Sequence, residues 1–281
     1  MMTRLLLTAI SLMLPRLLVA ADPALPQYPL AVAATSDGTI FVADRTLPGV
    51  WKIVDGKPEL YFQASKKFRT PLNAVRCLAI DKGGKLLAGD SSTREVYRFD
   101  DAGQPQPLTK GGVGIPMALA VDAAGDIWAA DLEIHRLVKI PAAGGEALIV
   151  VEVPAPRGLT FDAQGTLWIV SQGKDQLLTL KPDAKATEVV VSGQPFNFPH
   201  QVVVDPQGQA FITDGYEKAV WKAAVGQPPA KLLAGPPFDN PVGIAWLGEK
   251  LLVVDPRANS LFSVTTAGQI DASWKLGPPL P

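Results

Sequence analysis

Apolar and polar positions along this chain fall into short runs of strand length, and the runs recur. Six times an apolar stretch leads into a polar turn, then into a second apolar stretch that stops at an acid or a hydroxyl. The copies read YPLAVAATSDGTIFVAD to Asp44, VRCLAIDKGGKLLAGD to Asp90, IPMALAVDAAGDIWAAD to Asp131, APRGLTFDAQGTLWIVS to Ser171, FPHQVVVDPQGQAFITD to Asp214 and NPVGIAWLGEKLLVVD to Asp255. A period of about 42 residues filled only with strand-like runs predicts propeller blades, each a four-stranded antiparallel sheet around a central channel. The predicted fold class is therefore all-β, a six-bladed β-propeller spanning residues 22–281.

Each copy supplies the strands such a blade needs. The first, such as Leu119-Ala120-Val121, is nearly continuous in its apolar character, as for an inner strand covered on both faces. The turn after it holds Gly38, Gly84, Gly125, Gly165 or Gly208; copy six has Gly248-Glu249 instead, which predicts a different turn. Second strands such as Leu167-Trp168-Ile169 are rich in β-branched and aromatic residues, and a third strand such as Val96-Tyr97-Arg98-Phe99 follows in every copy. Fourth strands are weaker and are expected at 59–62, 147–151, 188–191 and 273–276. Blade boundaries are expected near 68, 112, 153, 195 and 238, with Gln104-Pro105-Gln106-Pro107 and Gln227-Pro228-Pro229 as turns and little strand exchange between the termini.

Composition narrows the partners. Gly 25 and Pro 26 are high for a helical protein, and the net charge of −1 with scattered Lys and Arg points to neither nucleic acid nor a polybasic membrane surface. Arg4, the apolar run from Leu5 to Leu14 and Val19-Ala20-Ala21 before Asp22 match a signal peptide over residues 1–21, cleaved after Ala21. An uncleaved anchor is the alternative, but Pro15 and Arg16 interrupt the run short of the roughly 18–20 apolar residues a span needs. The expectation is an exported, periplasmic or secreted, monomer with no stable membrane insertion after cleavage. Cys77, the one cysteine, sits in an apolar first strand, where a buried inert thiol is expected.

The run of proline, apolar strand, Asp-x-x-Gly turn, apolar strand and closing Asp, clearest in 115–131 and 198–214, resembles NHL-type repeats and the wider six-bladed group that includes the gluconolactonase (senescence-marker) superfamily. The resemblance covers residues 28–276 and implies the architecture; the group hosts hydrolases, lyases, isomerases and binding modules alike. A gluconolactonase-like metal site implies a Glu at the start of the first blade and an Asn before Gly-Leu in a middle blade, where this chain has Leu30 and Arg157. Zinc sites of the six-bladed amidoglycolate lyases imply several channel histidines, and the streptogramin-lyase type implies paired ones; only His135 and His200 exist here. No metal site is therefore supported by the sequence, and the cofactor is unknown.

The position after the proline that opens each inner strand should face the channel mouth. Through the copies it reads Leu30, Arg76, Met117, Arg157, His200 and Val242. Arg76, Arg157 and His200, with apolar Met117, form the candidate ligand-binding set for a small anionic ligand, because a guanidinium offers carboxylate, sulfate or phosphate a planar fork of donors. The competing reading pairs those arginines with the closing aspartates as structural ion pairs. The aspartates themselves are read as loop-fixing acceptors of backbone N–H groups, with a cation site as the alternative. Copy four has Ser171 in that place, which should leave Arg157 freer to meet a ligand. The catalytic residue is unknown; His200 is the one weak candidate for a general base, and it is expected to take up a proton near pH 6.5. Two functions stay open: a propeller that binds a small anion or a protein partner, and a hydrolase or lyase with a rearranged site.

Overall fold

The computed structural model describes residues 25–277; the expected signal peptide and its cleavage site lie outside the described residues. Six four-stranded antiparallel sheets form six blades, and no helix occurs among the described residues. Blade one holds β1 (Pro29–Ala34), β2 (Ile40–Asp44), β3 (Gly49–Val54) and β4 (Lys57–Gln63). Blade two holds β5 (Val75–Ile80), β6 (Leu86–Asp90), β7 (Glu95–Phe99) and β8 (Pro105–Pro107); blade three β9 (Pro116–Val121), β10 (Ile127–Asp131), β11 (Arg136–Ile140) and β12 (Leu148–Glu152). Blade four holds β13 (Pro156–Phe161), β14 (Leu167–Ser171), β15 (Leu177–Leu180) and β16 (Glu188–Val191). Blade five has β17 (Pro199–Val204), β18 (Ala210–Asp214), β19 (Ala219–Ala223) and β20 (Ala230–Ala234), and blade six β21 (Gly243–Leu247), β22 (Lys250–Asp255), β23 (Ser260–Val264) and β24 (Ile270–Lys275).

Every blade is a run of consecutive strands, and every expected boundary falls between blades. The ring thus closes without strand exchange. The apolar core lies between blades rather than within one. Six buried clusters fill the six seams, from Val50, Leu78 and Phe99 between blades one and two to Val42, Val254 and Leu261 between blades one and six. Second strands are buried end to end in blades one, two, four and five, because they have a sheet on either side.

The turn chemistry is legible in bonds. In blades two to five the Asp of Asp-x-x-Gly accepts two backbone N–H groups through one carboxylate oxygen, as Asp162 does from Gln164 and Thr166. The glycines there have φ between 78° and 92°, a region costly for residues with a Cβ. Blade six differs as expected. Leu247 pairs directly with Lys250, so Gly248 (φ 58°) and Glu249 form a two-residue hairpin turn.

Two details depart from expectation. Gln104–Pro107 is not a plain turn, because Pro105–Pro107 forms β8, paired to β7 through Tyr97↔Pro107 and Phe99↔Pro105. Proline cannot donate to a ladder, but β8 is an edge strand and its outer side needs no donor. In blade six the inner strand starts at Gly243, one residue beyond Val242.

Candidate functional site

The side chains that face the channel mouth are aimed there by a repeated irregularity in the ladder. Between β1 and β2, Pro29 pairs with Asp44 but Ala31 pairs with Ala43, so Leu30 is the extra residue of a β-bulge. The same step occurs between Val75 and Cys77 around Arg76, and between Pro156 and Gly158 around Arg157. In blades three and five it brackets the Met117-Ala118 and His200-Gln201 pairs. A bulge leaves one residue out of the ladder and re-aims its side chain. Five blades thereby turn the residue after the strand's first position out of the seam, and it is only partly buried in each. Blade six lacks the bulge; its ladder is regular from Gly243.

These side chains share one cavity of about 400 Å³. Leu30, Arg76, Met117, Arg157, His200 and Val242 all line it, together with Arg45, Phe198, Tyr216, Asn240 and Arg257. No acidic residue is among its lining residues.

The closing acids are occupied elsewhere. Asp44 accepts backbone N–H groups from Gln27, Tyr28, Thr46 and Leu47, so it ties the approach to the inner strand to the turn beyond the second strand. Asp90, Asp131, Asp214 and Asp255 do the same in their blades. All five are fully buried. Burial pushes the Asp44 carboxyl above its usual range despite the N–H groups that favour its charged form. In blade four Ser171 supplies a reduced version: its hydroxyl donates to the Pro154 carbonyl and accepts from Gly173 N–H.

The mouth arginines are consequently not in salt bridges. Arg76 Nε donates to Ser91 Oγ at 2.9 Å. Arg157 Nε is buried with no hydrogen-bond partner, and the guanidinium lies over the Phe198 ring, 5.2 Å from its centroid. The closing acid of the preceding blade, Asp131, pairs with Arg136 instead. Burial is the main influence lowering the pKa of both mouth guanidiniums, with a second contribution from Arg45 at Arg76 and from Arg76 at Arg157. The site is an electropositive concavity held together by packing and a cation–π contact.

His200 packs edge-on against Phe198, with ring centroids 4.9 Å apart, and Phe198 in turn stacks on exposed Tyr216 at 4.7 Å. Burial first, and Arg157 second, depress its pKa to about 3, so it is neutral at physiological pH. This corrects the expectation of protonation near 6.5: the imidazolium would be desolvated beside a fixed cation. Gly215 closes this corner, since a Cβ there would come 3.2 Å from His200 Nε2 and collide with Asn240. His135 is exposed on the turn between β10 and β11 and does not line the cavity. Cys77 is buried, and burial pushes its thiol up to about 12. Among the described residues no three His, Cys, Asp or Glu side chains are grouped to hold a metal ion.

Sequence reasoning did not single out Arg45, Phe198, Tyr216, Asn240 or Arg257. The first and last lie one and two residues past a closing aspartate, on the turn that the aspartate folds back over the inner strand. Arg45 N–H donates to the Tyr28 carbonyl there. Aligning the residues after each closing acid would have exposed these positions.

No protein-family model matches the chain, and no curated protein matches its sequence. Solved structures do match its shape. Virginiamycin B lyase from Staphylococcus aureus is 15% identical with a TM-score of 0.68, covering 88% of this chain and 84% of that one. A nidogen/laminin complex chain is 18% identical with a TM-score of 0.69, over 88% of this chain and 92% of that one. A gluconolactonase from Xanthomonas campestris is 18% identical with a TM-score of 0.68, over 83% and 84%. At these identities the likeness is one of fold: the chain is a six-bladed β-propeller whose structural neighbours include lyases, gluconolactonases and a nidogen/laminin complex.

Proposed function

We propose that this chain is an exported propeller that binds a small organic anion at the mouth of its channel. Arg76 and Arg157 grip the anionic group, Met117 packs against the ligand body, and neutral His200 offers it one ring nitrogen as donor or acceptor. The observation that carries this reading is the Arg157 Nε–H, buried and without a partner in a cavity that holds no carboxylate. Leaving such a group unpaired is costly, and a ligand oxygen would supply what the protein does not. Export rests on the pattern of residues 1–21. Binding is preferred to hydrolysis or elimination because His200, with a pKa of about 3, is a weak general base, and Leu30 and Arg157 occupy the positions where the resemblance implies metal ligands.

A thermal-shift titration at pH 7 and low ionic strength tests the proposal, with benzoate and sulfate as probes. Wild type should gain melting temperature with saturation, as linkage requires of a ligand that binds only the folded state. Arg157→Gln should melt as cooperatively and bind about tenfold or more weakly, since a hydrogen bond to a charged group is worth about 1.5–3 kcal/mol. Equal responses from wild type and variant, or none from wild type, would overturn it.

A further inference from the structure

The described arginines differ in how their charge is met. Outside the cavity, Arg94, Arg98 and Arg136 are in salt bridges with Glu133, Asp81 and Asp131, and exposed Arg69 lies over the Phe68 ring. The four that line the cavity, Arg45, Arg76, Arg157 and Arg257, have no carboxylate within salt-bridge reach among the described residues. The closing acids one and two residues before the outer pair, Asp44 and Asp255, are already taken up by backbone N–H groups, including those of Thr46 and of Arg257 itself.

The four also lie at two depths. Arg76 and Arg157, on the bulges of blades two and four, are partly buried, whereas Arg45 and Arg257, on the turns of blades one and six, are exposed at the rim. Blades one and six also contribute Leu30 and Val242, which pack into one apolar cluster on that side of the mouth. A route from the deep pair to the rim pair therefore runs over an apolar wall. A single carboxylate at the deep pair would leave the rim cations and the wall unused.

Building on the anion-binding reading, we propose that the natural ligand is a compact organic dianion with an apolar body, of the dicarboxylate kind. One carboxylate sits between Arg76 and Arg157, the body lies on Leu30 and Val242, and the second faces Arg45 and Arg257. Such a ligand neutralises two of four fixed charges, and its apolar middle covers surface that water now meets.

The test is calorimetric titration with matched probes, benzoate against terephthalate and hexanoate against adipate, at fixed low ionic strength. Each dianion should bind the wild type at least about tenfold tighter than its monoanion. Arg45→Gln/Arg257→Gln should erase that advantage, so that each dianion binds the variant no tighter than its monoanion does, while monoanion affinity falls only by the lost long-range attraction of the rim charges. Lys185→Gln/Lys222→Gln removes the same net charge at exposed sites away from the cavity and should change neither. Equal affinity for mono- and dianions, or an advantage that survives the rim variant, would overturn the dianion proposal while the deep anion site stands. No saturable binding of any of the four probes, or binding indifferent to Arg157→Gln, would overturn both.

Discussion

Arg157 and His200 show how one burial event sets two charges. The guanidinium keeps its proton because arginine is so basic, and the imidazole beside it gives its proton up. The folded-state pKa of His200 lies below its unfolded value, so between about 3 and 6.5 the unfolded chain binds the extra proton and stability falls as pH falls. His200→Gln should flatten that part of the stability curve, measured by urea denaturation from pH 7 to pH 4. An unchanged slope would mean that His200 is accessible to protons in the fold. Affinity for an anion, by the same reasoning, should not rise through pH 6.5 unless the ligand itself raises the imidazole pKa. None of this was legible from the chain, because the position of His200 follows from the repeat but its environment depends on Phe198, Gly215 and a neighbouring blade's arginine.

At the scale of an element, the closing aspartate is the device that makes the mouth. It stands at the end of the second strand and accepts N–H groups from the segment before the first strand and the turn before the third. Asp214 does so for Asn197, Phe198 and Glu217, and thereby fixes the aromatic that carries Arg157 and His200. Asp214→Ala should cost about 1–3 kcal/mol in urea denaturation through unsatisfied buried groups, and Asp214→Asn, which keeps an acceptor oxygen, should cost less. A neutral Asp214→Ala would contradict the clamp. The role was legible in sequence because a residue repeated in five copies serves the blade rather than a ligand. The edge strand Pro105–Pro107 was not legible, since two prolines read as a turn until an edge position removes the need for donors.

The whole molecule is six seams closed in a ring, and the repeat period sufficed to predict blade number, boundaries and closure within the C-terminal copy. The mouth was legible only in part. The bulge position follows the opening residue of the inner strand in five blades and could be aligned, whereas the rim arginines become neighbours of the channel only when the turns fold back. The central claim is that Arg76 and Arg157 are uncompensated cations awaiting an anion, and the Arg Nε–H resonances of nitrogen-15-labelled protein report on it directly. With benzoate, the Arg157 signal, assigned by its loss in Arg157→Gln, and that of Arg76 should shift with saturation and one dissociation constant, while exposed Arg69 stays put. Signals of Arg76 and Arg157 that stay fixed, or that drift linearly in step with Arg69, would contradict it.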